Sequence, residues 1–109
     1  MDMVKRFNVY LVNLASAAEG KARASRPCVV ISPDEMNRYI STVIVAPLTS
    51  RKRDFPTRVP INFKFKPGQI ALEQIRAVDK SRLIKPLGKL GDSTRDEVIR
   101  VLGEMFSEG

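Results

Sequence analysis

The apolar residues of this chain change period once, at Gly91. Before that point they come in short blocks rich in β-branched and aromatic residues, divided by Gly, Pro and charged clusters. After it they recur at helical spacing. A chain patterned this way closes several short strands with one helix. Its 109 residues leave room for a single domain, 1–109, and not for a second core.

Phe7–Leu14 alternates in part and reads as a strand. Ala15–Ser25 is small, polar and aperiodic, a loop. Pro27–Ser32 is apolar enough to be a buried strand. Ser32 is then expected to cap a helical turn, with Pro33 at its first position and Glu35 three residues after the cap. Ser41–Leu48 is a third strand, and Thr49–Pro56 a polar, basic loop. Thr57–Phe65 places Val59, Ile61, Phe63 and Phe65 on one face of a half-buried strand. Lys66-Pro67-Gly68 has the residues of a type II turn. Gln69–Val78 is a fifth strand or a pair of short ones, and Arg82–Lys89 a sixth element interrupted at Pro86. In the last segment Ser93 is expected to cap a helix, with Asp96 in a box-like position. Asp96 and Glu97 fall near its positive end. Val98, Ile99, Leu102, Met105 and Phe106 would form its inner face. The expected fold is mainly β: a small, strongly curved barrel with a C-terminal α-helix packed outside and a short helical turn after the second strand.

Composition narrows the chemistry. There is no His, which removes the usual general base, His-containing zinc sites and Ser–His or Cys–His nucleophiles. One Cys, Cys28, permits neither an intrachain disulfide nor a thiolate metal cluster. Cys28 reads most simply as a small buried hydrophobe. Any catalysis must therefore come from Arg, Lys, carboxylates, hydroxyls and backbone groups, with no metal and no cofactor expected. The longest nearly uncharged run, Ile40–Ser50, is too short to span a bilayer, and no signal peptide is legible, so the expected compartment is the cytoplasm.

The net charge of +7 is unevenly spread: residues 1–50 carry +2, residues 51–89 carry +8 and residues 90–109 carry −3. A segment as basic as the middle one attracts polyanions, nucleic acid first among them, although a solvated basic face is the ordinary alternative. Arg26 precedes a buried strand, and Thr49 and Ser50 end another. A guanidinium fork can hold a phosphate at two points while a hydroxyl donates to a further oxygen. Glu73, in an otherwise apolar stretch, would have a raised pKa if partly desolvated and could take a proton. The same residues have ordinary readings: a surface cation, a turn residue, and a carboxylate paired with Arg76. Asp79, between Arg76 and Arg82, is expected to pair and to cap a turn, and Arg51-Lys52-Arg53 is a solvated loop or an RNA-backbone contact.

Five blocks together resemble the MazF/PemK group of toxin endoribonucleases from bacterial toxin–antitoxin pairs. They are Val9-Tyr10-Leu11-Val12-Asn13-Leu14, Arg26-Pro27-Cys28-Val29-Val30-Ile31-Ser32, Val43-Ile44-Val45-Ala46-Pro47-Leu48-Thr49-Ser50, Pro56-Thr57-Arg58-Val59 and Gln74-Ile75-Arg76-Ala77-Val78-Asp79-Lys80-Ser81-Arg82-Leu83. The resemblance implies an SH3-like barrel of the CcdB/PemK type, working as a homodimer. It implies metal-independent, sequence-selective cleavage of single-stranded RNA, chiefly mRNA, and an antitoxin partner whose acidic C-terminal tail fills the RNA groove. Carried over by motif, Arg26 would stabilise the phosphorane, Thr49 would hold a non-bridging oxygen, and Glu73 would be the base, as in PemK-type members. Ser50, Arg51, Gln74 and Arg76 would contact RNA. The departure lies in the first loop, Ala15-Ser16-Ala17-Ala18-Glu19-Gly20-Lys21, where most relatives carry Asp-Pro and then Gly-x-Glu. The competing classes are a CcdB-like toxin that binds and poisons DNA gyrase without cleavage, and an inactive RNA-binding relative.

Overall fold

The structure, a computed structural model, describes residues 3–15, 25–64 and 66–109. Among them are seven strands: β1 (Asn8–Asn13), β2 (Ser25–Val30), β3 (Thr42–Thr49), β4 (Arg58–Phe63), β5 (Lys66–Ala71), β6 (Arg76–Asp79) and β7 (Leu83–Lys89). Helix α1 (Asp34–Tyr39) follows β2, and α2 (Asp92–Met105) closes the chain. Two 3-10 turns, Leu72–Gln74 and Lys80–Arg82, flank β6. All pairings are antiparallel, in the order β4-β5-β3-β2-β1-β7, with β6 on β3. The mainly β architecture with a terminal helix is the one expected. No helix among the described residues is long and apolar enough to cross a membrane.

Strands β1 to β3 are buried on both faces, which explains their nearly unbroken apolar runs. Successive side chains point to opposite faces. Val9, Val29 and Ala46 join Val59, Ile70, Leu72, Val98 and Val101 in one core. Their neighbours Tyr10, Cys28, Val30 and Val45 join Val4, Val78 and Leu83 in another. Strand β3 lies at the centre. One edge pairs with β2, while the other serves β6 over Thr42–Val45 and β5 over Leu48–Thr49. The 3-10 turn Leu72–Gln74 sits in the break between them, so the expected Gln69–Val78 segment is two short strands around a turn.

Several local expectations are corrected. Ser32 does not cap α1: Pro33 is the cap residue, with no side-chain bond. Instead Ser32 is buried and ties α1 to β3. Its Oγ donates to Asn37 Oδ1 (2.5 Å) and accepts from Ile44 N (3.0 Å), while Asn37 Nδ2 donates to Ser32 O (2.9 Å). Cutting Asn37 back strands buried polar atoms, so Asn37→Ala is expected to cost about 1–3 kcal/mol in a denaturant titration. Ser93 does not cap α2 either; Gly91 occupies that position. The inner face of α2 is Val98, Val101, Leu102 and Met105, a regular i, i+3, i+4, i+7 stripe. Ile99 and Phe106 lie outside it, 46% and 70% exposed.

Lys66-Pro67-Gly68 is strand, not turn: Phe63 faces Lys66 and Ile61 faces Gly68. The chain reverses beside Lys64, whose φ is 51°. Pro67 is tolerated because it lies beyond the end of β3, where β5 has no second partner. Gly68 is required by close approach, since a Cβ there would stand 2.7 Å from the backbone oxygen of Thr49. Phe65 and residues 16–24 of the departing loop lie outside the described residues.

Candidate functional site

The ends of β2 and β3 converge. Arg26 pairs with Val12 in β2, and Thr49 is the last residue of β3. Both line a cleft of about 460 Å³ together with Ser50, Arg51, Arg58 and Gln74. Arg26, Thr49 and Ser50 also border a second cleft of about 580 Å³, lined by Leu48, Ile61, Phe63 and Leu87 and by Lys64 and Lys66. A further cavity, between Met3, Val4, Arg38 and Lys80, contains none of these groups.

Thr49 is pre-set as a donor. Its Oγ1 accepts from Arg51 N at 3.1 Å, which leaves the hydroxyl proton for a ligand in the cleft. The same bond turns the chain at Ser50, placing Ser50 and Arg51 at the cleft wall. Arg26 and Gln74 are exposed, Gln74 on the last position of its 3-10 turn.

Glu73 departs from expectation in three ways. It lies on the 3-10 turn rather than in a strand. Its partner is Arg58, not Arg76: Arg58 Nε donates to Oε2 at 2.7 Å and Thr57 Oγ1 to Oε1 at 2.8 Å. Finally, partial desolvation pushes its pKa up, but the bonds from Arg58 and Thr57 outweigh it and hold the carboxyl below its ordinary value, not above. Glu73 also lies outside the lining of both clefts. Arg76, on β6, is likewise not a lining residue; its Nη1 donates to Leu14 O at 3.5 Å.

Arg58 is the residue that sequence reasoning passed over. It opens β4, and its side chain is only 6% exposed although it is an arginine. Besides Glu73 it reaches Arg51 O (3.0 Å) and Gln69 Oε1 (3.1 Å) through Nη1. The available signal was an Arg at the head of a half-buried strand, where a charge is retained only with partners.

Two other expectations resolve here. Asp79 caps the 3-10 turn, its Oδ1 accepting from Ser81 N at 2.9 Å, and that bond lowers its pKa. It forms no ion pair with Arg76 or Arg82 among the described residues. Arg82 instead donates to the carbonyls of Asn13 and Ala15, clamping the start of the first loop. Cys28 is buried, and that burial pushes its thiol up to about 12 against the opposing fields of Arg26 and Arg76, so it is a packing group.

Residues 5–106 match the family model of PemK-like, MazF-like toxins of type II toxin–antitoxin systems. Three solved structures show the same fold. An endoribonuclease from a mycobacterial species is 23% identical, with a TM-score of 0.78 over 95% of this chain and 91% of its own. The Mycobacterium tuberculosis toxin MazF-mt6 is 20% identical, with a TM-score of 0.76 over 91% and 95%. A MazE–MazF structure from Deinococcus radiodurans is 22% identical, with a TM-score of 0.80 over 98% and 99%. With a family match spanning nearly the whole chain, the molecule belongs to the PemK-like, MazF-like toxins of type II toxin–antitoxin systems.

Proposed function

We propose that this toxin is a metal-independent, sequence-selective endoribonuclease that cleaves single-stranded RNA, chiefly mRNA, in the cytoplasm, and that it works without a cofactor as a homodimer. The observation that carries the reading is the convergence of Arg26 and Thr49 on one basic cleft.

The reaction is internal transesterification. The ribose O2′–P bond forms as the P–O5′ bond breaks; O2′ loses a proton and O5′ gains one. The products are a 2′,3′-cyclic phosphate and a 5′-OH. Between them stands a phosphorane richer in charge than the ground state. The Arg26 guanidinium meets that added charge, and the free Thr49 proton bonds a non-bridging oxygen. An arginine releases its proton too reluctantly to serve as the acid, so its contribution is electrostatic. Ser50, Arg51 and Gln74, on the same wall, contact the flanking RNA, and Arg76 meets it farther along β6. The cognate antitoxin silences the enzyme by laying an acidic C-terminal tail in the same cleft, a fit supported by the +8 carried by residues 51–89.

The test is incubation of the purified toxin with a mixed-sequence single-stranded RNA in EDTA, without antitoxin, followed by end-mapping. Fragments with cyclic phosphate and 5′-OH ends at a recurring word are expected. Intact RNA refutes the proposal, and toxicity relieved by a gyrase mutation would then identify a gyrase poison. Salt-sensitive binding without products would identify an inactive relative.

A further inference from the structure

We propose that Arg58 is the second cation of the scissile phosphate and that Glu73 is the positioning residue that aims it. This rests on the reading of the Arg26 cleft as a phosphodiester site.

Arg58 is built in as few surface arginines are. Its guanidinium is held from three sides: Glu73 through Nε, Arg51 O and Gln69 Oε1 through Nη1, and the Phe55 ring 5.3 Å from Cζ. Gln69 is itself fixed, accepting from Arg53 N and donating to Arg53 O. Among the described residues Nη2 meets no acceptor. The side chain nevertheless lines the cleft with Arg26, Thr49 and Gln74. A purely structural ion pair would need neither that position nor a spare donor.

Charge balance points the same way. Three guanidinium groups, Arg26, Arg51 and Arg58, line the cleft, and no carboxylate does. Glu73 stands behind Arg58, with both oxygens already accepting. It compensates the burial of one cation and leaves the cleft positive. A phosphorane gains negative charge over the bound phosphodiester, so a second fixed guanidinium favours the transition state beyond what Arg26 supplies. Occupied on both oxygens, Glu73 is suited to orienting Arg58 rather than to receiving the O2′ proton.

The experiment is single-turnover cleavage of single-stranded RNA in EDTA by the wild type, Arg58→Lys, Arg58→Gln, Glu73→Gln and the double variant Arg58→Gln/Glu73→Gln. Affinity for the same oligonucleotide carrying 2′-deoxyribose at the cleaved position is measured alongside, and thermal melting reports folding. If the wild type leaves RNA intact, the ribonuclease reading itself falls and this proposal with it. Given cleavage, Arg58→Gln should be slower by about tenfold to a hundredfold. Its binding should lose about one unit of salt slope. Glu73→Gln should be slowed with its salt slope intact, because the cation remains but is misaimed. The double variant should be no slower than Arg58→Gln, and Glu73→Gln should keep the wild-type pH profile. Arg58→Lys preserves the buried charge for folding but not the fork, and should remain about tenfold slow. Wild-type rates in both Arg58 variants would overturn the proposal. So would a Glu73→Gln penalty that persists undiminished when Arg58 is already replaced, since Glu73 would then act on its own.

Discussion

Arg26→Ala is expected to lower single-turnover RNA cleavage by about two to three orders of magnitude, the scale of losing one donor aimed at developing negative charge. The change should leave melting unaltered. Arg26 is exposed and its side chain makes no hydrogen bond or ion pair among the described residues, so the fold loses only a surface cation. Its backbone position is set independently by the β1–β2 pairing. Because the added charge appears only as the 2′-oxygen bonds to phosphorus, kcat should fall more than affinity for uncleaved RNA. Thermal denaturation and a rate measurement on the same preparation check both halves. An unchanged rate would remove Arg26 from the mechanism.

Leu72→Ala is expected to be the most destabilising change near the site, by about 2–5 kcal/mol, read from urea or guanidinium unfolding. Leu72 is fully buried in the core to which β1 to β5 and α2 contribute. It is also the first residue of the 3-10 turn that carries Glu73 and Gln74, and its N–H donates to Thr57 O at 3.2 Å. One side chain thus fixes the depth of a turn whose next two residues meet Arg58 and the cleft. Replacing it should slow cleavage even in the fraction that stays folded, because the cavity lets the turn settle. Leu72→Met, which keeps the volume, should cost less than 1.5 kcal/mol and restore the rate.

Much of the architecture was legible because it depends on local pattern. Alternation marked β4, β-branched runs marked β2 and β3, and the change to helical spacing marked α2. The inner face of α2 was misread for a local reason. Ile99 and Phe106 are apolar enough to join the stripe, but both are exposed and neither packs against the core that holds Val98 and Val101. Neither expected cap forms, and the reasons differ: α2 starts at Asp92, which places the exposed Ser93 inside the helix. Ser32 has a cap's residue type, yet it lies next to Asn37 and Ile44, and a buried hydroxyl bonds there instead. Lys66-Pro67-Gly68 carries turn residues, but the β4–β5 register fixes the reversal earlier and reserves Gly68 for the close passage of Thr49.

The candidate site divides similarly. Arg26, Thr49, Ser50, Arg51 and Gln74 were singled out from sequence, and they share one cleft. The Glu73 environment was not legible. A carboxylate among apolar neighbours reads as desolvated, but its pKa direction is set by Arg58 and Thr57, fifteen and sixteen positions away, which only strand pairing brings to it.

By itself the amino-acid sequence determined the chemical vocabulary of this toxin: a histidine-free, cation-rich middle segment and the alternation of short strands with one helix. These are properties of residue type and of nearest neighbours along the chain. The tertiary structure alone decided who meets whom. It seated β5 and β6 on one edge of β3 and brought Arg58 between Glu73 and the cleft. The sign of a pKa shift, and the direction in which a guanidinium points, depend on contacts between residues distant in sequence. No pattern within a single strand encodes them.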